Sequence, residues 1–160
     1  MADFSRLERS WVEWTTLARM RLVSISTECE DCRVLFKSDD QSFHLRHDAD
    51  WWVVDKVDDR GQPQNDIAKF SDFGLAERFL TWRWSSVTRS AIGAKQLGVQ
   101  LQSLGMASGV DVFPIEREGA VELCTSAGSA VVPRSVATIF SHVMSKSVEE
   151  LEQMVRKGLT

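Results

Sequence analysis

The first apolar pattern in the chain has the spacing of a helix. In "SRLERSWVEWTTLARM", residues 5–20, apolar side chains recur three and four positions apart. They are Leu7, Trp11, Trp14, Leu17 and Ala18. Ser5, with Glu8 three residues later, matches a capping box at the helix start. The segment predicts an amphipathic helix with one buried stripe.

From residue 21 the spacing changes to two. Apolar and polar residues alternate in "RLVSIST", "RVLFKS", "SFHLRHD" and "DWWVVDKVD", with acidic or polar turns between them. Their β-branched and aromatic side chains favour strands. We expect a meander of four strands over residues 21–59, followed after a turn by a fifth strand, "NDIAKF".

Helical spacing returns in "FSDFGLAERFLTWRWSSVTRSAI", which we expect to form a helix that starts near Ser71 or Asp72. The candidate buried positions of this helix are Leu75, Phe79, Trp82 or Arg83, and Val87. Residues 93–109 contain four glycines and show no clear period.

The last third of the chain carries a second strand block and then helices. "VDVFPIER" and "AVELCTSA" predict a pair of strands, and "AVVPR" is a candidate third. "SVATIFSHVM" and "SVEELEQMVRKG" predict two helices, with Ser147 and Glu150 as a capping box for the second. Helices and antiparallel strands in separate blocks indicate an α+β fold. We expect one domain over residues 1–160, an antiparallel meander sheet packed by an N-terminal helix, a central helix and C-terminal helices.

Charge and composition exclude several classes of protein. Residues 28–72 hold twelve acids and six bases, whereas nucleic-acid binding needs clustered lysine and arginine. The acidic segment could instead face a basic partner. No apolar run approaches the ~20 residues of a membrane span, and no export signal is visible at the N-terminus. Three cysteines, an odd number, favour free thiols in a reducing compartment, so we expect a cytoplasmic protein.

Two cysteines and two histidines raise the question of zinc. Cys29 and Cys32 precede His44 and His47 by about the distance seen in zinc fingers. Only two residues separate the histidines, however, and on a strand their side chains point to opposite faces. A thioredoxin-like role for the cysteines is weaker still, because neighbouring acids would raise a thiol pKa. We expect no metal site.

Catalytic motifs are also missing from the sequence. Ser141 and His142 are adjacent, and neighbours on a helix diverge by about 100°, too far for a nucleophile and its base. No nucleophile elbow, phosphate loop or dinucleotide fingerprint occurs. We therefore expect no catalytic residues, no cofactor and no enzymatic activity.

The segment "DWWVVDKVDDRGQPQN" suggests a binding role instead. It predicts a strand that ends in a polar loop, where Gly61 can adopt a positive φ and Pro63 stiffens the chain. A stiff loop loses less entropy on binding, which suits a plug for an enzyme cleft. The predicted plug residues are Asp58, Asp59, Arg60, Gly61, Gln62, Gln64 and Asn65. A hairpin tip without a function is the alternative.

Three segments also carry a family resemblance: "DWWVVDKVDDRG", "FSDFGLAERFLTWRW" and "ATIFSHVMSKSVEELEQMV". Across roughly residues 20–157 the chain resembles the immunity proteins that neutralise NAD-hydrolysing toxins, the family of the immunity factor for tuberculosis necrotizing toxin. The resemblance implies a cytoplasmic antitoxin that binds a secreted NAD glycohydrolase one to one and blocks its NAD cleft without catalysis. It does not assign contact residues.

Two other functions stay open at this point. The chain could be a small enzyme or a ligand-binding α+β domain, with the Trp-rich helix face lining a pocket. It could also be a secretion adaptor or chaperone for another exported protein. Inhibition of NAD hydrolysis would favour an antitoxin, and thermal stabilisation by a small molecule would favour a ligand-binding domain.

Overall fold

The structure, a computed structural model, describes residues 2–28 and 32–159. Helices and strands alternate in blocks along these residues. The elements are α1 (Ser5–Leu17), β1 (Ser24–Ser26), β2 (Val34–Lys37), β3 (Ser42–Asp48), β4 (Trp51–Val57), β5 (Pro63–Phe70), α2 (Phe73–Ala91), α3 (Gly98–Ser103), β6 (Asp111–Pro114), β7 (Ala120–Thr125), β8 (Gly128–Pro133), α4 (Arg134–Val143) and α5 (Val148–Arg156).

All eight strands form one antiparallel sheet. Its order is β1-β2-β3-β4-β5-β8-β7-β6. The two strand blocks meet where β5 pairs with β8, with Lys69 opposite Val131 and Phe70 opposite Ala130. The predicted α+β fold with an antiparallel meander is confirmed, and the second strand block extends the same sheet.

The core lies between the sheet and the helices. On β3, Phe43 and Leu45 are buried while the residues between and beside them are more exposed, as expected for alternation on a strand. Trp11 of α1 and Trp84 of α2 pack against Phe43, with ring centroids 6.0 Å away in each case. Helix α2 lies at the centre of this layer, in contact with α1, α4, α5, β4 and β5.

The buried face of α2 differs in part from the prediction. Leu75 and Phe79 are buried as expected. Trp82, Arg83 and Val87 are only half-buried, because the stripe that meets the sheet and α1 continues instead through Leu80 and Trp84. The residues expected in the core are thereby turned towards an open cleft.

Helix α1 also departs from its predicted start. Leu7, Trp11 and Trp14 are buried as expected, whereas Leu17 is 37% exposed. Phe4 is the N-cap, so Ser5 is already helical and the expected capping box does not form. Asp3 takes over part of that role, since its carboxylate accepts hydrogen bonds from the Ser5 amide at 2.9 Å and the Ser5 hydroxyl at 2.6 Å.

The other two predicted helix starts are confirmed. Asp72 caps α2 by accepting a hydrogen bond from the amide of Gly74, and Ser147 and Glu150 form a capping box at α5. Residues 93–109, which showed no period, contain the short helix α3.

The cysteines follow the sequence expectation only in part. Cys124 is a free thiol, whereas Cys32 is disulfide-bonded, so the expectation of free thiols is wrong for Cys32. Cys29 lies outside the described residues. In the part of the chain that the structure describes, no helix is both long and apolar enough to cross a membrane.

Candidate functional site

The β4–β5 hairpin ends in an exposed turn, residues 58–62, which we call the hairpin tip. The turn is braced by one side chain. Oδ1 of Asp58 accepts hydrogen bonds from the backbone amides of Arg60 at 2.9 Å and Gln62 at 2.8 Å. The main chain adds two more, from the Asp58 amide to the Gln62 carbonyl and from the Gly61 amide to the Asp58 carbonyl. The tip is therefore ordered by its own hydrogen bonds.

Gly61 is required by the conformation of this turn rather than by crowding. Its φ is +76°, in the region that L side chains rarely adopt. A Cβ at this position would meet no atom within 4 Å. The space above Gly61 is open to an approaching partner.

A β-bulge fixes the base of the hairpin. The register of β4 against β5 shifts between Val54 and Lys56. At the shift, the Asp55 carboxylate accepts a hydrogen bond from the amide of Asp66 at 2.6 Å, and Arg46 on β3 forms an ion pair with Asp55 at 2.8 Å. The hydrogen bond between Arg46 and the Asp55 carboxylate raises the pKa of Arg46. Since bulges increase twist and bend a strand, this one sets the direction in which the hairpin tip leaves the sheet.

The structure shortens the predicted loop. Asp59, Arg60, Gly61 and Gln62 lie exposed on the hairpin tip, but the carboxylate of Asp58 is engaged within the turn. Gln64 and Asn65 are exposed residues of β5, which begins at Pro63 and forms ladder hydrogen bonds there. The expectation of a loop running to residue 65 is thus corrected to a five-residue tip on a longer strand.

Acidic side chains surround the base of the hairpin tip. A depression of about 170 Å³ beside it is lined by Asp40, Gln41, Lys56, Asp58 and Asp59. Three carboxylates thus stand around a single lysine. Such a rim attracts a basic surface and accelerates its association.

A larger cleft opens between α2, α3 and α4. Lys56 lines both this cleft and the acidic depression beside the hairpin tip. Its volume is about 750 Å³. Most of its wall is apolar, and the apolar lining residues are Phe79, Trp82, Val87, Val99, Val136, Ile139 and Phe140. Of the two tryptophans of α2, Trp82 lines this cleft, whereas Trp84 lies in the core.

Two cations face this cleft without a carboxylate partner. The side chains of Arg83 and Lys56 form no ion pair or hydrogen bond with a described residue. Burial lowers the pKa of Arg83. Burial also lowers the pKa of Lys56, and the nearby charge of Arg83 lowers it further. Sequence spacing alone does not bring these two residues together, because one lies on a strand and the other on a helix.

Ser141 and His142 are used to hold a loop. The Ser141 hydroxyl donates to the carbonyl of Thr138 and accepts from the amide of Ala107 at 2.9 Å. His142 Nε2 lies 2.7 Å from the carbonyl oxygen of Gly105. Both side chains anchor the connection after α3, which gives each of them a structural role.

The two histidines considered for zinc occupy opposite faces of β3, as expected. His47 packs against Trp52 on the helix side, with ring centroids 4.5 Å apart, and His44 lies on the alternate face. Among the described residues no group of three or more metal-ligating side chains occurs. Because Cys29 lies outside them, the absence of zinc stays a prediction, which metal analysis of the purified protein would check.

A braced hairpin tip beside an acidic rim, on a two-layer α+β domain, has the features of a protein-binding domain. Rv3902c from M. tuberculosis has a similar fold, with a TM-score of 0.71 and 15% identity over 91% of this chain and 86% of that one. This identity shows the fold alone. The model of the family described as immunity protein 61 matches residues 14–157, so the chain belongs to that family. No curated protein matches the chain.

Family membership confirms the resemblance to immunity proteins that the sequence suggested. It makes the chain an immunity protein, a class whose partner is a cognate toxin.

Proposed function

We propose that this chain binds a cognate secreted NAD glycohydrolase, one to one, in the cytoplasm of the producing cell and occludes the NAD cleft of the toxin. Its membership in the immunity protein 61 family supports the antitoxin role. The observation that carries the mode of binding is the hairpin tip, exposed and ordered by its own hydrogen bonds. A tip that is already ordered loses little conformational entropy when it enters a cleft.

In this proposal each tip residue has a separate task. Arg60 and Gln62 take polar positions that NAD would otherwise occupy, and Gly61 lets the backbone approach closely. Asp59 meets basic residues that hold the pyrophosphate in the toxin. Asp58 contributes mainly by bracing the turn, because its carboxylate already accepts two backbone hydrogen bonds. Gln64 and Asn65, on the adjoining strand, contact the rim of the toxin cleft.

We also propose that the chain inhibits without catalysis of its own. Ser141 and His142, the adjacent pair considered as catalytic candidates, both anchor the connection after α3. Inhibition should therefore be stoichiometric, with residual toxin activity falling linearly to zero at one equivalent. Recovery of toxin activity after the complex is separated would agree with this, whereas inactivation at a small fraction of an equivalent would refute it.

The test of the partner begins with the neighbouring reading frames, where a candidate toxin is sought. The purified toxin domain is incubated with NAD and increasing amounts of this protein, and NAD consumption is followed. We expect loss of NAD hydrolysis as the complex forms. A toxin that binds this protein tightly but does not hydrolyse NAD would overturn the NAD glycohydrolase assignment and leave the immunity role in place.

The test of the hairpin tip replaces residues 58–62 by a two-residue Asn-Gly turn, which suits an antiparallel hairpin. The sheet should still form, since the tip contributes no residue to the hydrophobic core. Inhibition should be lost. The matched control is Ala49→Gly in the turn at the other end of β4, where Ala49 has a φ of +54°. This control should inhibit like the parent protein.

If the shortened protein inhibits at the parent concentration, the plug lies elsewhere. The next candidate is the glycine-bearing stretch 103–109, which presents the exposed apolar side chains of Leu104 and Met106.

A further inference from the structure

The cleft between α2, α3 and α4 combines an apolar wall with two neighbouring cations, of which Lys56 lies near three aspartates and Arg83 forms no ion pair with a described residue. Placing a positive charge against apolar surface is unfavourable unless an anion compensates it. Some other arginines of the described chain form ion pairs, as Arg156 does with Glu13 at 2.7 Å and Arg6 with Glu149 at 3.3 Å. Arg83, although more enclosed, has no such partner. An anion bound in this cleft would compensate the charge of Arg83.

We infer that this cleft binds an amphipathic monocarboxylate, with its carboxylate against Arg83 and Lys56 and its apolar body along the wall formed by Trp82, Val99 and Ile139. Both the charge and the shape of the cleft support this class of ligand. The guanidinium of arginine matches a carboxylate with two parallel hydrogen bonds. A volume of about 750 Å³ lies within the range of sites for small organic ligands.

The charges around the cleft favour a ligand that carries one negative charge over a ligand that carries two. Asp40, Asp58 and Asp59 stand on the far side of Lys56 and act on it through space. A dianion such as a phosphate monoester would be repelled by these three carboxylates more strongly than a monoanion. The apolar wall in turn disfavours a small, fully hydrated acid such as acetate.

The position of α3 beside α4 and α2 shapes the mouth of the cleft. Gly98 at the start of α3 lies close to both Ile139 and Trp82, where a Cβ would come within 3.1 Å of Ile139 Cδ1 and 3.6 Å of Trp82 Cζ2. Helix α3 can therefore pack close to α4 and α2 without a side chain at this point. Val99, which follows it, is 74% exposed at the mouth of the cleft.

The inference does not depend on the proposed antitoxin role, because it is tested on the free protein. Decanoate, below its micellar concentration, is titrated into the protein and the heat of binding is measured. We expect saturable binding of one equivalent. Affinity should rise about fourfold for each methylene from octanoate to dodecanoate until the cleft is filled. Decanol and decyl phosphate should bind at least about tenfold more weakly.

Variants locate the ligand. Arg83→Gln should weaken decanoate binding at least about tenfold, and Lys56→Gln should weaken it less. The matched control is Lys69→Gln, since Lys69 lies over the ring of Trp51, away from the cleft. Val99→Trp should close the mouth and abolish binding, and it should fold because Val99 is exposed. Far-UV circular dichroism verifies the fold of each variant.

Three results would overturn the inference. The first is no saturable binding of any of these carboxylates up to millimolar concentration. The second is binding that Arg83→Gln and Val99→Trp leave unchanged. The third is an absence of carboxylate binding together with weaker toxin binding by Arg83→Gln, which would assign the cleft to the protein interface instead.

Discussion

At the scale of single residues, the side chain of Asp58 carries the organisation of the hairpin tip. Its Oδ1 accepts hydrogen bonds from the amides of Arg60 and Gln62. These bonds hold the exposed turn in one conformation before a partner arrives. Asp58 can in this way affect how well the neighbouring tip residues bind, without contacting the partner itself.

Asp58→Ala should therefore lower toxin affinity about tenfold while changing global stability by no more than about 1 kcal/mol. The tip loses its internal acceptor and must be ordered at the moment of binding. Affinity is measured by calorimetry and stability by urea denaturation. Asp50→Ala is the control, because Asp50 is an exposed aspartate in the turn at the opposite end of β4. Equal affinities for the two variants would show that the brace has no role in binding.

The surroundings of Glu77 disfavour its ionisation. Its side chain is buried on α2. Burial raises its pKa above the ordinary value of 4.5, and the charges of Arg6 and Arg78 offset this only in part. The folded protein thus holds the proton of Glu77 more tightly than the unfolded chain does.

The sign of the pH dependence follows from this raised pKa. The contribution of Glu77 to stability falls as the pH rises from 4.5 through the raised value. Glu77→Gln should accordingly be more stable than the parent protein at pH 7, and the difference should shrink as the pH falls towards 4.5. Urea denaturation across this range measures the difference. A parent protein that is the more stable one at pH 7 would show that the two arginines outweigh burial.

At the scale of elements, α1 is held to the domain by two buried tryptophans. Trp11 is 1% exposed, and its ring lies 5.0 Å from that of Trp84 and 5.9 Å from that of Phe36. Trp14 is 2% exposed, and its carbonyl accepts a hydrogen bond from the hydroxyl of Thr88 on α2 at 2.9 Å. The helix is thereby joined to both the sheet and α2.

Trp11→Ala should lower the free energy of unfolding by about 3–5 kcal/mol, because it removes a large ring from a closed cluster. Val12→Ala, one position along the same helix, is the control. Val12 is 50% exposed, so its truncation should change stability by no more than about 0.5 kcal/mol. Thermal and denaturant melts of both variants give the comparison, and a similar loss in both would contradict the assigned packing.

At the scale of the whole molecule, the two strand blocks act as one unit. Strand β5 pairs with β8, so residues distant in the chain share one hydrogen-bonded sheet. Phe70 of β5, Phe79 of α2 and Phe140 of α4 then pack together beneath that junction, with ring centroids 5.2–5.7 Å apart. The core is continuous across both blocks.

The free protein should consequently unfold in a single cooperative transition without its partner. Tryptophan fluorescence reports mainly on the first block and α2, because the chain has no tryptophan after Trp84. Far-UV circular dichroism reports on all elements. The two probes should give the same midpoint in urea. Separated midpoints would mean that the β6–β8 block unfolds on its own.

Much of the local structure was determined by the sequence alone. Period-two alternation predicted β3 at its observed bounds, and Ser147 with Glu150 predicted the start of α5, since these signals depend on neighbours a few residues apart. The positive φ of Gly61 was likewise foreseen from the turn chemistry around it. The prediction of a capping box at Ser5 was wrong, because Asp3, two residues earlier, accepts a hydrogen bond from the Ser5 amide at this helix start.

Tertiary packing determined which surface of the molecule each residue of the site lies on. Arg83 faces the cleft because a different stripe of α2 packs against the sheet and α1. Helical spacing alone permits either of two neighbouring stripes to be the buried one. The bulge at Asp55 and Asp66, which sets the path of the hairpin tip, requires three strands to be in register. The cleft exists only because α3 and α4 pack beside α2 opposite Lys56, a meeting of residues far apart in the chain. Side-chain spacing determines local elements, whereas long-range packing determines which surfaces remain open for binding.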